Sequence, residues 1–148
     1  VGLSSALDGV RDFIINNISG FTSNNCSVND EDIFSYIQST DGAAKKCVIV
    51  APESFSAAAL SEVRSSTMLW GILVNVFFMI SDDDIVTPLT NEISFVDEFI
   101  LKVSQDSLLD GAVTRAKVVG GGPLLTYKRA NYLYYLFPIE LTIMDNIS

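Results

Sequence analysis

The chain has 148 residues, 49% of them hydrophobic and 18% charged, with eighteen acids against nine bases for a formal net charge of −9. That length suits one domain with a real core, and the composition excludes wholesale disorder. The acidic balance excludes phosphate-neutralising nucleic-acid binding and disfavours anionic lipid, both of which need clustered Lys and Arg. There is no histidine, so the usual catalytic triad and the commonest zinc ligand are missing, and the two cysteines, Cys26 and Cys47, are read as free thiols of a reducing compartment.

Taken in order, Leu3, Ala6, Leu7, Val10, Phe13, Ile14 and Ile18 fall at three/four spacing, which predicts an amphipathic helix over Ser5–Ser19. Ser4 or Ser5 is its expected cap, Ser5 and Asp8 resemble a capping box, and Gly20 stops it. No basic stretch followed by an apolar run opens the sequence, so no secretory leader is expected. Phe21–Val28 is Asn/Ser-rich and reads as a loop. Asn29 precedes Asp30, Glu31 and Asp32, acids well placed at a helix start, and Ile33, Phe34 and Ile37 give a short helix to Gln38 an apolar side. Lys46–Ala51 is a short strand ended by Pro52, and Glu53–Leu60 is ambiguous between loop and helical turn.

A long apolar run then reaches Ile80, most concentrated in Met68–Ile80, with Ser81–Asp84 stopping it. Thirteen residues are too few for a membrane span, which needs about twenty. The β-branched and aromatic content predicts a strand. Met68, Trp70, Ile72, Val74, Val76, Phe78 and Ile80 share one face and build the core. Leu69, Gly71, Leu73, Asn75, Phe77 and Met79 share the other, which is also mostly apolar. A second helix is expected over Asn91–Ser107, capped by Thr90 or Asn91, with Ile93, Val96, Phe99, Ile100 and Val103 inward and Glu92, Asp97, Glu98 and Lys102 outward.

After an Asp110-Gly111 turn, Ala112–Val119 alternates, Gly120–Pro123 reads as a mobile hairpin tip, and the chain returns through Leu124–Arg129 into Asn131–Met144. The last run is apolar on both faces in its first half, and Pro138 predicts an interrupted ladder there. The whole predicts a single α+β domain, with a mainly antiparallel four-stranded sheet and two long helices packed on one face.

Two double-faced strands leave two readings. Either loops or the Asp30–Gln38 helix cover the second face within the chain, or that face packs on a neighbouring subunit. Scarce charge and exposed aromatics favour the second. The candidate subunit interface is then Leu73, Phe77, Met79, Tyr132, Tyr134 and Leu136. Arg115, Lys117, Lys128 and Arg129 form a candidate basic docking arm. No catalytic, cofactor or metal residues are assigned. Asp82-Asp83-Asp84 lacks calcium-loop spacing, Gly120–Pro123 lacks the Lys-Ser/Thr of a phosphate loop, and no serine sits in a Gly-x-Ser-x-Gly elbow. Cys47 has lysines beside it but reads as a buried, inert strand residue.

The order of SSALDGVRDFIINNIS, KKCVIV, MLWGILVNVFFMI, NEISFVDEFILKVSQDS, AVTRAKVV and YLYYLFPIELTIM resembles the tail terminator and head–tail joining proteins of tailed bacteriophages. The resemblance spans nearly the whole chain but rests on pattern and order. It implies a homo-oligomeric ring, a hexamer, that caps the tail tube within the virion and contacts tube and neck or connector proteins. DNA passes through its acidic lumen without specific binding, and no membrane is involved. A connector, stopper or tube protein is an alternative, as is a small cytoplasmic hydrolase or ligand-binding domain.

Overall fold

The computed structural model describes residues 2–39, 45–57, 67–81 and 83–146. Helix α1 (Leu3–Asn17) leads to strand β1 (Cys26–Val28), helix α2 (Ile33–Ser39), strands β2 (Lys46–Ala57) and β3 (Thr67–Ile80), helix α3 (Val86–Gln105), and strands β4 (Arg115–Gly121), β5 (Leu125–Arg129) and β6 (Tyr132–Asn146). They form one six-stranded sheet in the order β1-β2-β3-β6-β4, with β5 also paired to β6.

The sheet corrects the expected four antiparallel strands. It is mixed, because β1 runs parallel to β2, with Cys26, Ser27 and Val28 opposite Val48, Ile49 and Val50. β1 is three residues taken from the stretch read as a loop, too short to show a period, and neighbouring strand geometry recruits it. β2 also runs past Pro52: a bulge between Pro52 and Ser54 absorbs the missing donor, and pairing with β3 resumes at Ser54 opposite Gly71.

Gly120–Pro123 is not a hairpin tip. β4 and β5 both pair with β6, β4 against Ile139–Met144 and β5 against Tyr132–Leu136, and residues 122–124 join them as a jog in one long edge. The jog falls opposite Phe137 and Pro138, where the sequence predicted a break. A Cβ on Gly121 would lie 2.6 Å from the Pro138 carbonyl oxygen, so the close approach requires glycine. Gly122 N–H then donates to that carbonyl at 2.8 Å.

α1 begins at Leu3, with no side-chain cap bond. Asp8 pairs instead with Arg11 at 3.5 Å, so the expected capping box is not formed. Gly20, at φ +89°, turns the chain just beyond the helix. α3 starts earlier than expected because Asp84 caps it, its carboxylate accepting from the N–H groups of Val86 and Thr87 at 3.0 and 2.9 Å. Its packed side is rotated from the expected stripe. Glu92, Phe95, Phe99 and Val103 are buried, while Ile93 and Ile100 are exposed. The edge-on contact of Phe95 with Phe21, at 5.3 Å between ring centres, holds this orientation.

The main core lies between the sheet and the pair α1 and α3. It contains Trp70, Ile72, Val74, Val76 and Phe78, the face of β3 assigned to it by alternation, against Phe13, Ile14, Phe99 and Val103. A second, smaller core lies on the opposite face under α2. Helices therefore pack on both faces of the sheet. No described helix is long and apolar enough to cross a membrane.

Candidate assembly surfaces

α2 presents Ile33, Phe34 and Ile37 to the second sheet face, where they meet Cys47, Ile49, Phe77 and Tyr134. Phe34 stands edge-on to Phe77 and Tyr134, with ring centres 5.0 and 5.2 Å apart. Gln38 Nε2 donates to Tyr134 Oη at 3.0 Å. Arg129 closes the cluster: its guanidinium lies 5.0 Å from the Phe34 ring centre and pairs with Glu31 at 3.1 Å.

The candidate interface residues therefore separate into two groups. Phe77 and Tyr134 are 6% and 0% exposed, and half-buried Met79 and Leu136 pack against the same cluster. These four form an internal core closed by α2, the covering arrangement weighed first in the sequence reading. Leu73 is half-buried outside that cluster, and Tyr132 is exposed at the start of β6.

The basic residues do not gather into one arm. Arg115 stands opposite Met144, Lys117 opposite Thr142, Lys128 opposite Leu133 and Arg129 opposite Tyr132. At the usual rise of a strand, Arg115 and Arg129 are separated by about 40 Å along β6. Arg129 is engaged within the chain by Glu31 and Phe34. Arg115 and Lys117 instead border a small cleft of about 240 Å³ on the outer sheet face, floored by Leu69, Thr142 and Met144 and flanked by Val119. Val119 is 53% exposed.

A second apolar surface, on the other side of the sheet, belongs to α3. Val86, Ile93 and Ile100 recur every seven residues on one flank and are exposed, and Ile85 extends them at the N-terminal end. Sequence reasoning placed Ile93 and Ile100 inward because their spacing is right for a core stripe. Phe99 and Val103 of that stripe are buried as expected, but the bulkier Phe95 is buried in place of Ile93 and Ile100.

Both cysteines are free and buried. Burial pushes the Cys26 thiol up to about 12 and raises Cys47 further, so neither is poised as a thiolate nucleophile. Glu92, expected on the outer side of its helix, is fully buried, and neither carboxyl oxygen has a hydrogen-bond partner. Burial raises its carboxyl to about 9, and the nearby Phe137 backbone amide, short of hydrogen-bonding geometry, acts in the opposite direction. A shallow cleft of about 230 Å³ between the end of α1 and α3 holds Lys46, whose amine lies 4.7 Å from the Phe21 ring centre. Burial lowers the Lys46 pKa, and Glu98 partly offsets this.

No model of a known protein family matches the chain, and neither does any curated protein.

Proposed function

We propose that the protein is a structural subunit that self-associates into a ring, in the role of a tail terminator that caps a phage tail tube and meets the neck. The observation that carries this reading is apolar surface left open on two different sides of one domain. One is the outer sheet face around Leu69, Leu73, Val119 and Met144; the other is the flank of α3 formed by Val86, Ile93 and Ile100. A closed ring built head to tail needs two unlike patches per subunit, whereas a two-fold dimer needs one. The net charge of −9 suits a lumen that repels phosphate and lets a duplex slide.

A connector, stopper or tube subunit would use the same two-sided surface, and only partners distinguish these stations. A catalytic or ligand-binding role fits the observations less well. The buried acid with a raised pKa, Glu92, does not line the clefts described above, and the two thiols are sealed. Mass photometry of the purified chain, alone and mixed with tail tubes, tests the proposal. Rings of uniform mass that cap tube ends are expected. A monomer at every concentration that ignores tubes would remove the reading.

A further inference from the structure

The two apolar surfaces carry opposite charge at their rims, and this identifies how they meet. At the C-terminal end of β3 the chain turns into α3 through a projecting shoulder, where Ile85 and Val86 are 59% and 66% exposed. Asp83 and Asp84 beside them are exposed too. Asp84 uses one carboxylate oxygen to cap α3, which keeps its charge on the shoulder. The Thr87 side chain, then the backbone amides of Thr87 and Val86, hold it below the usual carboxylate range by hydrogen bonding.

At the other end of β3, on the opposite sheet face, lies the cleft floored by Leu69, Thr142 and Met144. Its border carries Arg115 and Lys117, both exposed and neither engaged in the ion pairs seen among the described residues. Glu140, opposite Leu73, stands two residues along β6 from Thr142 of the cleft floor. Leu69 and Ser81 are twelve residues apart on an extended strand, about 40 Å. The shoulder and the cleft of one molecule therefore cannot touch each other.

We propose that the acidic, apolar shoulder of one copy (Asp83, Asp84, Ile85, Val86) seats in the basic-rimmed cleft of the next. The occupant is a second copy because the chain itself presents both halves: two carboxylates beside two aliphatic side chains, and two cations around an apolar floor. Because the halves lie at opposite ends of the domain, the contact is heterologous and propagates head to tail. The edge strand is an unfavourable alternative. β4 carries Arg115 and Lys117, a bulge between Val118 and Gly120, and the jog before β5, all features that blunt strand addition. The inference rests on the reading of the protein as a self-associating subunit and names the contact.

The test is mass photometry of three variants beside the wild type, each checked for folding by its melting curve. Arg115→Glu/Lys117→Glu and Asp83→Lys should each weaken self-association by about tenfold or more, through like charge at the contact. Joining the three substitutions in one chain should recover part of the loss, because the introduced lysine then faces the introduced carboxylates, against the remaining charge of Asp84. Wild-type assembly should also weaken as salt rises from about 0.05 to 0.5 M, a readout that needs no variant. If the wild type assembles but neither variant nor salt changes its masses, or if the combined variant does not recover, this contact is wrong while self-association stands. If the wild type is monomeric throughout, both fail.

Discussion

Glu92 is the residue least expected from its surroundings. In the unfolded chain its carboxyl ionises near 4.5, and in the fold near 9. At pH 4 both states hold the proton, so burial brings no pH-linked penalty. As pH rises from 4.5 toward 9, the unfolded state gains by ionising while the buried acid stays neutral, and stability falls. By neutral pH this penalty is on the order of 3 kcal/mol. Glu92→Gln removes the titration and leaves the shape. Its melting temperature should match the wild type near pH 4.5 and exceed it increasingly up to pH 8. A gap that does not change with pH would mean that Glu92 titrates alike in the folded and unfolded states. Nothing in the local pattern warned of this acid, because an acidic residue between apolar ones on a helix normally marks the solvent side. What turned it inward was the packing of Phe95 beside Phe99 and against Phe21, which brings the Glu92 side of the helix onto the sheet.

At the level of elements, α2 decides which part of the outer sheet face is internal. It is seven residues long and is held by Phe34 in the aromatic cluster, by the Gln38–Tyr134 hydrogen bond and by Arg129. Phe34→Ala should cost about 3 kcal/mol or more of α2 docking. The two cysteines report where the damage lies. Cys47 lies in the cluster beneath α2 and Cys26 in the core beneath α1. Native-state thiol labelling of the variant should accelerate at Cys47 and stay slow at Cys26. Equal acceleration at both would indicate global unfolding. The elements that were legible in the sequence are those with a long, clean period: α1 by its three/four spacing, and β3 by the wholly apolar Trp70/Ile72/Val74 face. β1 and β5 were not legible as strands, since Cys26–Val28 is too short to show alternation and Gly120–Pro123 disguised the continuation of an edge as a turn. The helix now named α2 was legible as a helix but not in its placement. A local apolar stripe says that a helix is covered, not which face of which sheet covers it.

For the whole molecule, the open question at the sequence level was whether an apolar outer face meant an internal cover or a neighbour. The fold supplies an internal cover for only part of that face. Phe77 lies under α2, whereas Leu73, four residues earlier on the same face, lies outside that cover. Their substitutions should therefore part company. Phe77→Asp places a charge among Phe34, Tyr127 and Tyr134 and should unfold the chain or lower its stability by about 4 kcal/mol. Leu73→Asp adds a charge at a half-buried position beside Glu140 of β6 and should cost the monomer about 1 kcal/mol. If subunits meet across this part of the face, the second substitution reduces assembly far more than it reduces the melting temperature. Melting curves read beside mass distributions separate the two effects. A Leu73→Asp protein that melts normally and assembles normally would take Leu73 out of the contact and leave the Leu69/Met144 cleft and the flank of α3 as the paired surfaces.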